Sequence, residues 1–226
     1  HELAVMAFER VTQREAEDAD AWLALGRARG GLGDQARAAD ALKKAIGLRP
    51  DDAALHAELG DLWMTAERPA DAEASYRSAV GLADDDGALH ARLGRAQKAR
   101  GLADDARASF EKATELAPQL RGAWVELARA KRAIGADDEA VDAWSRALAL
   151  DPDDAEGQAA LGDLRLSLGF EEAAVDPLKR AVALAPADAM ANARLGAALL
   201  ATGAPEAALE ALERAASLGL EEARGW

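Results

Sequence analysis

A repeat of 34 residues constrains this chain more than any other feature of its sequence. The seventh position of six successive segments is always leucine: Leu25, Leu59, Leu93, Leu127, Leu161 and Leu195. A small position in the second half of each segment is always alanine: Ala38, Ala72, Ala106, Ala140, Ala174 and Ala208. This recurrence predicts tandem copies of one supersecondary structure, each packed on its neighbours, instead of a single globular core.

The segment 121–154 shows what one copy forms. Trp124 and Leu127 belong to a set of residues spaced by three and four, which predicts one stripe of a helix that ends near Gly135. A run of three acidic residues after this glycine favours the start of a second helix, and Pro152 marks its end. Each copy is therefore predicted to be a pair of antiparallel helices joined by a tight turn.

These residues resemble the pattern of the tetratricopeptide repeat (TPR) family, which has Trp, Leu, Gly and Tyr in its first helix and Ala, Phe, Ala and Pro around its second. The matching positions here are Trp124, Leu127, Ala128, Lys131, Ala140, Trp144, Ala147 and Pro152. The resemblance implies an all-α fold, a right-handed α-solenoid of tandem helix-turn-helix TPR units. It covers residues 19–222 as six units: 19–52, 53–86, 87–120, 121–154, 155–188 and 189–222. By the same register, residues 1–18 are predicted to be the second helix of a preceding, truncated repeat, and residues 223–226 to start a truncated seventh unit.

Glycines and prolines predict the local backbone. The turn glycines Gly33, Gly101, Gly135, Gly169 and Gly203 recur where the first helix must reverse, a position that requires a positive φ. In the second repeat Glu67 takes this position. Pro177 falls inside a second helix, where it must remove the hydrogen bond to the carbonyl of Ala173 and is predicted to bend the helix locally. The acidic run 84–86 is predicted to cap a helix in preference to binding a metal.

Composition excludes several classes of function. The formal charge of −14 opposes binding to a phosphate backbone, so we expect no nucleic-acid partner. The chain has no cysteine and no apolar run long enough to cross a bilayer, so disulfides, thiolate metal sites and membrane insertion are not expected. No nucleophile with its base, phosphate-binding motif or histidine cluster occurs either. We therefore predict a non-enzymatic protein without a metal or cofactor.

Basic residues cluster on the first helices of the third and fourth repeats. The resemblance to the TPR family implies that these helices line the concave groove. We predict that Arg95 and Lys98, with Arg129 and Arg132, form a two-by-two block that receives carboxylates, with Arg92 beside it. The predicted apolar contacts for a partner are Met64, Val125, Leu166 and Leu200. The second helices, with acidic residues such as Glu73, are predicted to face solvent. An alternative remains open, in which the arginines only balance Asp61, Asp163 and Glu126.

The sequence thus predicts a scaffold that binds an acidic peptide or protein surface in its groove. Resemblance to bacterial TPR arrays implies a cytoplasmic adaptor in assembly, cell polarity or an envelope machine, with a small GTPase as one kind of partner. The alternative is a self-assembly module that stacks end to end. Its basis is the last helix, where Leu209 and Leu212 form an apolar side that a further repeat would cover.

Overall fold

The computed structural model describes residues 2–219, and within that range the chain forms thirteen α-helices and no strand. Two compact units divide between Leu120 and Arg121. The first unit contains α1 (Glu2–Arg14), α2 (Ala19–Gly30), α3 (Gln35–Leu48), α4 (Ala53–Thr65), α5 (Pro69–Leu82), α6 (Gly87–Ala99) and α7 (Ala103–Leu116). The second contains α8 (Arg121–Ala133), α9 (Asp137–Leu150), α10 (Ala155–Ser167), α11 (Glu171–Leu184), α12 (Ala189–Ala201) and α13 (Pro205–Ser217).

The helices confirm the predicted all-α fold of tandem helix pairs. Within each unit the two helices of a repeat pack on each other, and the second helix of one repeat packs on the first helix of the next. The assignment of residues 1–18 to a truncated repeat stays a prediction, and residues 223–226 lie outside the described range. Among the described residues, no helix has the length and apolar character needed to cross a membrane.

Aspartates cap most of the first helices. The Asp86 carboxylate accepts hydrogen bonds from the backbone amides of Ala88 (2.8 Å) and Leu89 (3.3 Å), which confirms that the acidic run 84–86 caps a helix. The same arrangement occurs at Asp18 and Asp188. These carboxylates satisfy amides that have no partner in the first turn, and their charge favours the positive end of the helix dipole.

The predicted left-handed turns are confirmed. Gly33, Gly101, Gly135, Gly169 and Gly203 have φ between 75° and 79°. Glu67 takes the same conformation with φ of 55°, and it is the one positive-φ residue other than glycine in the described part of the chain. A side chain with a Cβ atom is strained there, since Cβ approaches the following carbonyl oxygen.

The interior of each repeat is built around a close approach of its two helices. The eighth position of the first helix is glycine in five repeats, and a Cβ atom added there would meet the large side chain sixteen residues later. For Gly60 that Cβ would lie 2.5 Å from the ring of Tyr76, and for Gly196 it would lie 2.6 Å from Leu212. Leu212 is therefore a core residue, which corrects its predicted place on the outward side of the last helix. Leu209, by contrast, is 59% exposed.

Candidate functional site

Asp61 of α4 holds the first predicted cation, Arg92 of α6. One Asp61 oxygen lies 3.1 Å from Nη1 of Arg92, and the other accepts a hydrogen bond of 2.6 Å from the Tyr76 hydroxyl. Burial raises the pKa of Tyr76 well above its usual value, and the hydrogen bond to Asp61 raises it further. Both Asp61 oxygens are therefore engaged, and the charge of Arg92 is balanced within the first unit.

Arg95 lies one helical turn beyond Arg92 and differs from it. It is exposed and forms no ion pair with any residue in the described part of the chain. It borders a cavity of about 390 Å³ whose lining is Asp61, Met64, Thr65, Tyr76, Arg92 and Arg95. Lys98 is also exposed on α6. The structure thus places Arg92, Arg95 and Met64, three of the predicted contact residues, around one cavity of the first unit.

The predicted cations of the second unit are compensated by acids on the neighbouring first helix. Arg129 pairs with Glu156 and lies 3.4 Å from Glu126 of its own helix. Arg132 lies 2.7 Å from Asp163, which also pairs with Arg194. These pairs are the ones expected from the alternative hypothesis, in which the arginines balance Asp163 and Glu126. Since the two-by-two block combines Arg95 and Lys98 of one unit with two residues of the other, it stays a prediction.

The predicted apolar contacts differ in how much surface they present. Met64 and Leu166 are partly buried, each packed against the core of its own unit. Leu200 is 41% exposed. Val125 is 9% exposed, so it offers a partner little side-chain surface.

Glu73 of α5 is a buried charge that the sequence did not reveal. We predicted solvent-facing acids on the second helices, but this side chain is fully buried between Arg77 of its own helix and Arg100 at the end of α6. A buried carboxylate needs such partners, because its desolvation otherwise costs several kcal/mol. The Glu73 cluster joins the second and third repeats and is structural, so it is not part of the candidate site.

The fourth position of the first helices also proves structural. Side chains there donate N–H groups to the carbonyl six residues earlier, in the loop that precedes the helix. The bonds are Trp22 to Ala16 (2.8 Å), His56 to Pro50 (3.0 Å), His90 to Asp84 (2.9 Å), Gln158 to Pro152 (2.9 Å) and Asn192 to Pro186 (3.2 Å). The sequence could have indicated this role, because the side chain at this position carries an N–H group in every repeat. No group of histidine and carboxylate side chains suited to a metal ion occurs in the described range.

Models of one family match the sequence over most of its length. Two are described as tetratricopeptide repeat; one matches residues 23–87 and 159–223 and the other residues 88–120. A third, described as TPR repeat, matches residues 128–169. No curated protein matches the chain significantly.

Solved structures share the fold at low sequence identity. YrrB, described as a TPR protein with an unusual peptide-binding site, gives a TM-score of 0.70 at 21% identity, covering 83% of this chain and 97% of that one. PilF of Pseudomonas aeruginosa gives 0.72 at 17% identity, covering 93% and 98%. MamA gives 0.67 at 23% identity, covering 76% and 94%.

Proposed function

The chain belongs to the tetratricopeptide repeat family, and on this premise we propose that it is a non-enzymatic scaffold that binds an acidic peptide or protein surface beside Arg95. Family and fold support a protein-interaction scaffold in general. The acidic partner is the more specific part of the proposal. A peptide ligand is in keeping with the description of YrrB, whose fold is similar.

The observation that carries the proposal is the difference between Arg95 and its neighbours. Arg92, Arg129 and Arg132 are all neutralised by carboxylates of the chain itself. Arg95 has no such partner in the described range and borders a cavity, so its guanidinium can accept a carboxylate without first breaking an ion pair. The planar guanidinium suits a carboxylate because it can donate two parallel hydrogen bonds.

Charge alone does not provide enough affinity. An exposed ion pair is worth about 0.2 to 1 kcal/mol, whereas micromolar binding requires about 8 kcal/mol. Met64 on the same cavity supplies an apolar contact, and Leu200 is the most exposed of the predicted apolar contacts in the second unit. We therefore propose a ligand in which a carboxylate and an apolar side chain are close neighbours.

The wider role that we propose is that of an adaptor in a bacterial assembly, polarity or envelope machine in the cytoplasm. A small GTPase is one kind of partner in this proposal. Its support is the family resemblance, since such arrays bring proteins together without catalysis.

The experiment compares two arginines at the same position of different repeats. Arg95→Glu removes the proposed contact, and Arg27→Glu is the matched control, because Arg27 is the ninth residue of its repeat, is exposed and already pairs with Glu58. Partners are captured from the source cell with the wild-type chain, and their affinity for each purified variant is measured by calorimetry at low and moderate salt.

We expect Arg95→Glu to weaken binding about tenfold at low salt, because an attraction becomes a repulsion of similar size. Arg27→Glu should change the affinity by less than about twofold. Unchanged affinity of the Arg95→Glu variant at low salt, with its helicity intact, would contradict the proposal.

End-to-end self-association is a second candidate, favoured by exposed leucines on the first and last described helices. Leu3 of α1 is 83% exposed and Leu209 of α13 is 59% exposed. If these surfaces join copies of the chain, Leu209→Lys should convert the associated species to monomer in sedimentation velocity runs. A wild-type chain that stays monomeric at high concentration excludes this candidate.

A further inference from the structure

A second cavity lies in the first repeat, away from the Arg95 cavity. Its volume is about 710 Å³, within the range of ligand sites. Its lining is Ala16 and Trp22, which come from the loop before α2 and from α2, and Asp40, Lys43, Lys44, Gly47 and Leu48 of α3. Five of its seven residues belong to a second helix, so the cavity uses a different surface from the proposed groove.

The aromatic wall of this cavity is held in place. The Trp22 indole donates its Nε1–H to the carbonyl of Ala16 at 2.8 Å, and the side chain is only partly buried. Leu48, which also lines the cavity, is 38% exposed. The indole is therefore fixed before any ligand arrives, so little conformational entropy is lost when an apolar group packs against it.

The lining of the cavity is positively charged, whereas the chain as a whole is negatively charged. Lys43 and Lys44 are exposed, and neither has a carboxylate within ion-pair distance in the described part of the chain. Lys43 Nζ lies 5.9 Å from the centre of the Trp63 ring, which is a cation–π contact and leaves its charge unneutralised. Asp40 supplies one negative charge, so the lining keeps one net positive charge in a chain of −14.

Three other repeats neutralise the residue that corresponds to Lys44. Lys112 lies 3.0 Å from Glu115, Arg180 lies 3.5 Å from Asp153 and Arg214 lies 4.0 Å from Glu210. None of these three repeats has tryptophan at its fourth position, where the residues are His90, Gln158 and Asn192. The fourth repeat has tryptophan at this position and Arg146 without an ion pair among the described residues, but Ser145 stands where the first repeat has Lys43. The first repeat thus combines an indole with two unneutralised lysines.

We propose that this cavity binds a short peptide segment in which an aromatic side chain lies next to carboxylates. The aromatic ring packs on Trp22 and Leu48, and the carboxylates pair with Lys44 and Lys43. The peptide must supply both groups. Asp40 repels any carboxylate, so the aromatic contact is needed to add to the affinity. This second site is independent of the Arg95 site, and a partner that used both would gain from their linkage.

The test follows the Trp22 indole directly. Nuclear magnetic resonance resolves the indole N–H signals of the five tryptophans, and Trp22→Phe identifies that of Trp22. The probe is acetyl-Glu-Phe-Glu-amide, and acetyl-Gln-Phe-Gln-amide is the neutral control peptide. The protein variants are Lys44→Glu and a matched charge reversal, Lys179→Glu, which stands at the position of Lys43 in the fifth repeat beside Gln158.

We expect the acidic probe to shift the Trp22 signal saturably at millimolar concentration and to bind about tenfold more tightly than the neutral peptide. Lys44→Glu should weaken this binding about tenfold, while Lys179→Glu and Arg95→Glu leave it unchanged. The proposal is overturned if the Trp22 signal does not move, if both peptides act equally, or if Lys44→Glu binds the probe as well as the wild type. Since Arg95→Glu tests the other cavity, failure here leaves the proposed function standing.

Discussion

Arg165 donates a hydrogen bond of 2.8 Å to the carbonyl oxygen of Ala173. That carbonyl is the acceptor that loses its helical partner because Pro177, four residues later, has no amide hydrogen. Helix α11 continues from Glu171 to Leu184 through the proline. A guanidinium from the neighbouring helix α10 thus replaces the missing backbone donor. The bend predicted at Pro177 stays a prediction.

Arg165→Met should lower the free energy of unfolding by about 1 kcal/mol, because it removes the donor and keeps most of the apolar stem. Pro177→Ala returns an amide to Ala173, so the same arginine substitution should cost about half as much in that background. Urea unfolding of the four proteins, followed by circular dichroism, measures the difference. An equal cost in both backgrounds would show that Arg165 does not compensate for the proline.

Tyr76 should remain protonated in the folded protein at a pH where a free tyrosine ionises. Its folded pKa is raised by burial and by Asp61, while the unfolded chain has a pKa of about 10. The unfolded state therefore loses its proton first as the pH rises, and unfolding becomes more favourable. The contribution of Tyr76 to stability is complete below about pH 10 and is lost as the pH rises towards the folded pKa.

Tyr76 is the one tyrosine of the chain, so the ultraviolet absorbance of phenolate reports on it alone. Phenolate should appear together with loss of helical circular dichroism. In Asp61→Asn, which lacks the negative charge, it should appear at lower pH. Reversible ionisation near pH 10 with intact helices would contradict the buried hydrogen bond.

Glu67→Gly should raise the free energy of unfolding by about 0.5 to 1 kcal/mol. The gain comes from relief of strain at a φ of 55°, offset in part by the greater freedom of glycine in the unfolded chain. Thermal unfolding checks the prediction, and Glu67→Ala is its control. The alanine variant removes the carboxylate but keeps the Cβ atom, so it should not be more stable than the wild type.

Two glycines inside helices should respond to alanine in opposite directions. Gly60→Ala places a Cβ atom 2.5 Å from the Tyr76 ring, so we expect a loss of about 1 to 3 kcal/mol from overpacking. Gly81 has no neighbour within 4 Å of a built Cβ atom, so Gly81→Ala should gain up to about 0.5 kcal/mol from helix propensity. Denaturant unfolding compares the two, and a loss at both positions would contradict the packing argument.

The sequence predicted the features that depend on local backbone chemistry. The glycine turns and the cap at Asp86 follow from residue type and register, and both are confirmed. Whether each arginine forms an ion pair could not be predicted in the same way. Arg132 meets Asp163 across a distance of 31 residues, and whether a pair forms depends on side-chain rotamers that no period encodes. Burial of Glu73 likewise depends on Arg100 from another repeat. The acidic side chain alone therefore gave no indication that it would be buried.

The hydrogen bonds at the fourth position have a direction. The side chain at this position donates back to the loop that precedes its own repeat, as His56 does to Pro50 and Asn192 does to Pro186. Removing a repeat from the carboxyl-terminal side therefore leaves a loop carbonyl without its donor, whereas removal from the amino-terminal side leaves a side-chain N–H without its acceptor. The loop that ends a repeat is thus expected to loosen once its successor melts, because the successor's side chain no longer holds it.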